Sequence, residues 1–289
     1  MTQEAILWTL LATMLAGIHV TIGKITAQKK INSSLNSVIT FLFSTLTFSF
    51  FLFLQGFKID PNINIVLLLC AIAGFVYGIS FILRIQALHH IDSVLFFPIN
   101  KIIGPIIAIV GGILLFNETL STTQIFGVIL SISVPLLLIN NTEKHRQNNL
   151  FLGLTLLFVS TVFGVSQQIT FKYLLNIEEN ILLITALSQF FAFLVSLSIL
   201  FYEKKKNKKE IILDKENIKY GIFSGMISVL SLWSLVKAIA IAPLSLVYTI
   251  HAHYILIPII FSVVFYKEHI DLRKTSAVVI SMIAIAFLI

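Results

Sequence analysis

Leu114-Leu115-Phe116-Asn117-Glu118-Thr119-Leu120 closes one long apolar run, and Val264-Phe265-Tyr266-Lys267-Glu268-His269-Ile270 closes another, 150 positions later. In each, three apolar or aromatic residues lead to a polar residue, a glutamate, a second polar residue and an aliphatic one. The same spacing pairs Asp92 and Ser93 with Ala242 and Pro243 at the start of the two runs, and Lys101 with His251 inside them. A looser match, with its register slipped, joins Ala16, Gly17 and Lys24 to Phe163, Gly164 and Lys172. Self-similarity at so long a period marks two copies of one structural unit, here 1–145 and 146–289.

Working outward from these motifs, ten apolar stretches separated by short polar breaks can be placed at 4–23, 33–55, 64–88, 93–116, 122–140, 149–174, 181–202, 219–239, 243–265 and 272–289. A helix rises about 1.5 Å per residue, so each is long enough to cross about 30 Å of hydrocarbon. Strands of a transmembrane barrel would be about ten residues long and would alternate apolar with polar; these runs are continuously apolar. Each unit holds five spans, an odd number, so the second must lie upside down relative to the first. The expected fold is therefore all-α: an integral membrane protein of ten transmembrane helices in two inverted five-helix repeats, an arrangement found in transporters.

Composition agrees. Of 289 residues 57% are hydrophobic and 11% charged, against about 25% charged in soluble domains, too few to cover a water-facing surface. Cys70, the single cysteine, lies in an apolar run and excludes an intramolecular disulfide framework. The net charge of +7 comes from inter-helix loops and forms no aromatic-interleaved stripe, so nucleic acid is not an expected partner. The N-terminus lacks the basic flank of a signal peptide, and the first apolar stretch reads as a retained helix. Loops 24–32, 84–92, 141–148, 203–219 and 266–274 fall on one side and carry 16 of the 20 basic residues; the positive-inside rule then puts both termini outside. The expected setting is a multi-pass position in a cell membrane, the bacterial inner membrane, as monomer or homodimer.

The runs 87–105 and 238–258, with the endings Glu118-Thr119-Leu120 and Glu268-His269-Ile270, resemble the drug/metabolite transporter superfamily, in particular its ten-helix EamA-type branch. The resemblance covers nearly the whole chain. It implies export or import of amino acids, sugars, nucleotide derivatives or other small metabolites through a central cavity between the halves. Many members of that branch have a basic loop after the second helix; here 56–62 has only Lys58.

All thirteen acidic residues fall in termini, loops or helix ends, whereas Lys101 falls well inside the fourth span. An ionisable side chain at that depth is costly and is a candidate functional group; the other reading is a lysine that snorkels or caps carbonyls of a neighbouring helix. On its helix Lys101 shares a face with Pro98, Gly104, Pro105 and Ala108. Pro105 removes the amide that would bond the Lys101 carbonyl, leaving an acceptor beside the ammonium, or is only a packing kink. His251, the repeat mate of Lys101, is followed on its own face by Tyr254 and Pro258, and Pro258 frees the Tyr254 carbonyl in the same way. A histidine on an apolar helix is often a hydrogen-bonded structural residue, and the pairing with Lys101 is what makes a functional role of comparable weight. His253 faces elsewhere and reads as structural.

Arg84 and Lys237 lie near span ends, where interfacial snorkelling is the simpler reading and the mouth of a cavity the other. His19, Gln167 and Gln168 on the first helix of each unit, with Tyr77 and Trp233 on the third, offer donors and stacking surfaces, and Asn100 adds an amide beside Lys101. Glu118 and Glu268 read as structural; Ser121 to Gln124 fits a capping box, and Asp271 can cap the last helix.

No Walker A loop, dinucleotide fingerprint, zinc-protease motif or nucleophile elbow occurs, so no enzyme, cofactor or metal site is expected. The reading that follows is a secondary transporter for a small, anionic or carboxylate-bearing metabolite. The substrate-binding candidates are Lys101, His251, Asn100, Tyr254, His19, Gln167, Gln168, Tyr77, Trp233, Arg84 and Lys237. An exporter of neutral or zwitterionic amino acids, with Lys101 reading only the carboxylate, is the alternative.

Overall fold

The computed structural model describes residues 1–29, 31–56, 63–91, 93–138, 149–207, 214–258, 260–261 and 272–289. The second copy of the opening motif, 264–270, lies outside them, as does the cap expected at Asp271. Among the described residues ten α-helices follow one another: α1 (Gln3–Gln28), α2 (Ser33–Gln55), α3 (Ile63–His90), α4 (Ser93–Phe116), α5 (Thr122–Leu138), α6 (Leu150–Leu174), α7 (Ile181–Asn207), α8 (Lys215–Ile241), α9 (Leu244–His251) and α10 (Leu272–Leu288). Among the described residues, α1 to α4 and α6 to α8 are long and apolar enough to cross a bilayer by themselves.

Local chemistry sets the helix starts. Asn32 and Asn149 accept from Leu35 N and Leu152 N at 2.9 and 3.1 Å, and Asp214 accepts from Asn217 N at 2.6 Å, each satisfying an amide without an intrahelical partner. Ser121 and Gln124 bond reciprocally at 3.0 and 3.2 Å, the capping box read from the sequence. Gly56 ends α2 at φ 77°, backbone that a side chain would strain. Many hydroxyls within the spans bond back to their own helix, as Thr13 does to Thr9 O at 2.7 Å and Thr45 to Phe41 O at 2.8 Å, and these need no water in the bilayer.

Four helices outrun their apolar stretches: α1 to Gln28, α3 to His90, α7 to Asn207, and α8 back to Lys215. Apolarity reports where lipid begins, while glutamate and lysine are good helix formers that carry the turns onward into the headgroup region. The ninth span also differs from one continuous helix. It is α-helical to His251, tightens to a 3₁₀ turn at Ala252–Ile255 and reaches Pro258. Proline supplies no amide for Tyr254 O, which weakens the α pattern there; α4 stays α-helical through Pro98 and Pro105.

The closest helix pairs all cross between the repeats: α1 with α8, α3 with α6, α2 with α7, α5 with α10, α3 with α7, α2 with α8 and α4 with α9. Exchanging each helix for its counterpart five later maps this set onto itself, as a pseudo-two-fold axis requires. Direction agrees as well. Gly74 packs on Ala192 and Gly78 on Val195, so α3 and α7 run parallel; Ser80 meets Ser160, and Ile91 meets Gly153, so α3 and α6 run antiparallel. The Met1 amino group donates to Ile289 O at 3.3 Å, which places both termini at one end, as an even number of spans demands.

Small residues permit this approach. Gly74 and Gly78 face α7, and Gly221 and Gly225 occupy the matching turns of α8 against Ile39 and Phe43 of α2. Each is a small-xxx-small pair. A Cβ at Gly78 would fall 2.8 Å from Val195 Cβ. Gly78→Leu is therefore expected to destabilise the bundle by about 1–3 kcal/mol, read as a lowered melting temperature of the purified protein in detergent. An unchanged melt would contradict the close α3–α7 contact.

Candidate functional site

The pseudo-two-fold arrangement frames a partly open cavity of about 120 Å³, roughly ten times what one ordered water needs. Both repeats build it. From α1 come Ala16, His19 and Val20, and from α6 Gly164, Gln167 and Gln168, the same i, i+3, i+4 face of corresponding helices. Tyr77 and Arg84 reach it from α3, Lys101 from α4, Ser228, Ser231, Leu232 and Leu235 from α8, and Tyr248, His251 and Tyr254 from the ninth span.

Lys101 is 5% exposed, and its ammonium stands 3.8 Å from the centroid of the Tyr254 ring, a cation–π contact. His251 packs edge-on to Tyr254 at 5.4 Å and to Tyr248 at 6.3 Å. Gly104 makes room for Tyr248, whose ring would lie 3.1 Å from a Cβ there, so the small face beside Lys101 admits an aromatic from the other repeat. His19 Nε2 and Ser224 Oγ share a hydrogen bond at 2.8 Å that joins α1 to α8. Several buried polar atoms find no partner among the described residues: Arg84 Nε, His251 Nδ1, Gln167 Nε2 and Gln168 Oε1. No carboxylate lines the cavity among the described residues. The walls thus offer two cations, amides, imidazoles, hydroxyls and tyrosine rings, a set suited to holding an anion.

Eight of the sequence candidates meet here: Lys101, His251, Tyr254, His19, Gln167, Gln168, Tyr77 and Arg84. Three stand outside the lining. The Asn100 amide donates to Thr161 Oγ1 at 2.7 Å, and that hydroxyl passes the bond to Leu157 O. Trp233 packs against Phe48 at 6.4 Å, and the Lys237 ammonium sits 5.3 Å over the Trp233 ring. His253 donates through Nδ1 to Thr249 O and Ile250 O at 3.1 and 3.2 Å, which suits its structural reading. The structure adds Tyr248 and the serines of α8. A signal for the serines was present, since Ser224, Ser228 and Ser231 form an i, i+4, i+7 polar stripe on an apolar helix; Tyr248 is one turn before His251, opposite the helix position that Pro98 takes in the first copy.

The chain matches the EamA-like transporter family twice, over residues 3–140 and 151–289. It belongs to that family. A crystal structure of another protein, 12% identical, superposes with a TM-score of 0.79 over 99% of this chain and 96% of that one, a likeness of fold. No curated protein matches the chain. It is a multi-pass membrane transporter of small molecules.

In this EamA-like transporter the Glu118 of the opening motif has a defined partner. Its Oε1 accepts from Leu244 N at 2.6 Å and its Oε2 from Ser245 N at 2.9 Å, so one carboxylate caps α9. Lys172 of α6 donates to Ile239 O at 2.7 Å and Ala242 O at 2.9 Å, covering the carbonyls that end α8. The corner between α8 and α9 is held by two charges, one from the segment after α4 and one from α6, each favoured by the helix dipole it meets. Glu118 closes the segment after α4, the helix of Lys101, so it also fixes how α9 stands beside α4. Lys172 is one turn beyond Gln168.

Proposed function

We propose that this transporter carries a small anionic metabolite by alternating access, with the halves 1–145 and 146–289 rocking about the central cavity. The single observation that carries the reading is Lys101, buried in mid-span with a tyrosine ring for a partner and, among the described residues, no carboxylate beside it. A carboxylate or phosphate would draw the ammonium from the ring and meet the Arg84 guanidinium, with His251, Gln167, Gln168 and Tyr248 setting its orientation. A site between inverted repeats, near the midplane, is the usual geometry of alternating access. The basic loops support a bacterial inner-membrane orientation with both termini outside.

A zwitterionic amino acid, the alternative reading, would bring a third positive charge among walls that hold two, and the Tyr254 ring face is already taken by Lys101. The test is counterflow in proteoliposomes loaded in turn with dicarboxylates, phosphate esters, neutral amino acids and sugars, with thermal stabilisation of the purified protein as a second readout. Saturable exchange confined to the anions is expected. Exchange of neutral amino acids or sugars with no response to any anion would overturn the proposal.

A further inference from the structure

The charge balance of the cavity specifies more than a sign. Two fixed cations, Arg84 and Lys101, line one small space, and no Asp or Glu lines it among the described residues. They stand at comparable depth. Arg84 lies seven residues before Ile91, at the corner between α3 and α4, and Lys101 ten after it; at ~1.5 Å per residue these are about 10 and about 15 Å along helices leaving the same corner. Among the described residues neither cation is matched by an anion: Lys101 rests on the Tyr254 ring, and Arg84 Nε is buried without a partner there.

We infer that the preferred cargo is a dianion, a compact dicarboxylate or phosphate monoester, which neutralises Arg84 and Lys101 together. The inference rests on the anion reading above and adds the number of charges to it. In a low-dielectric site each uncompensated unit charge is costly. A monoanion leaves one of the two cations unanswered, whereas a dianion yields a neutral loaded cavity, the state that is closed off from water with least electrostatic penalty. The two cations belong to adjacent helices of the first repeat, while His251, the repeat mate of Lys101, faces them from the second. Charge is therefore read on one wall, and the opposite wall supplies imidazole, tyrosine and amide contacts to the body of the cargo.

The experiment measures binding to the purified full-length protein by calorimetry, at pH 7.5, with two pairs matched in size and differing in charge. Succinate is compared with its monoamide succinamate, and glycerol 3-phosphate with the monoanionic sulfate ester glycerol 3-sulfate. Tighter binding of the dianion by at least about ten-fold is expected in each pair that binds, the equivalent of one well-placed extra ionic contact. Arg84→Gln should remove the preference within the succinate pair, bringing succinate and succinamate to within about two-fold of each other; Arg84→Lys, which keeps the charge, should restore most of the preference. Melting of each variant without ligand establishes that it is folded. Equal binding within the pairs, or a preference that survives Arg84→Gln in a folded protein, overturns the charge count alone. Absence of binding by all four compounds overturns the anion reading beneath it.

Discussion

Lys101→Met is expected to abolish anion binding and transport while leaving the protein folded. The ammonium is buried in mid-span with an aromatic ring as its contact, and removing one partner of a buried charge pair costs about 2–5 kcal/mol, a loss of roughly 30-fold or more in affinity. Methionine keeps the length and fills the space beside Tyr254. The melting temperature without ligand should hold or rise, because a desolvated charge has been deleted. His251→Gln, removing an imidazole whose Nδ1 has no partner among the described residues, should give a smaller loss. Titrations of the variants with the anions that stabilise the parent measure both. If Lys101→Met binds those anions as the parent does, the lysine is structural and the anion reading fails.

Glu118→Leu should have the largest effect on stability of any single change outside the core. It strands Leu244 N and Ser245 N at the start of α9, and each buried amide left without an acceptor costs about 1–3 kcal/mol. Glu118→Gln keeps one oxygen for one amide but turns an NH₂ toward the other, so an intermediate loss is expected. Thermal unfolding in detergent orders the series. A leucine variant that melts with the parent would show that the carboxylate does not hold α9. Lys172→Met tests the other half of the corner, freeing Ile239 O and Ala242 O; carbonyls have more alternative donors, so its drop should be smaller.

Glu118 illustrates how far a sequence reads. The repeat showed that a glutamate stands at one place in both copies, and its position after a span marked it as structural. That its two oxygens reach α9, more than a hundred residues onward, has no local signature. Arg84 is a second case. Near a span end, snorkelling to the interface was the simpler expectation, and the packing of α3 on α6 and α7 turns the side chain toward the cavity instead. Asn100, next to Lys101 in sequence, points about 100° round the helix and meets Thr161.

The ten spans, their inverted repetition and the pairing of Lys101 with His251 were determined by the sequence alone, because bilayer thickness sets a length that apolar runs must match and an odd number of spans per copy leaves one orientation. Lys101 stood out for the same reason, a charge where lipid permits few. The tertiary structure decided which faces meet. Glycines at Gly74, Gly78, Gly221 and Gly225 let helices of opposite repeats approach, and that interleaving brings His19 to Ser224, Tyr254 to Lys101 and Glu118 to α9. Such contacts depend on the rotation of each helix about its axis. Shape and packing between distant segments set that rotation, and a hydrophobic pattern with nearly uniform apolarity around each span does not encode it.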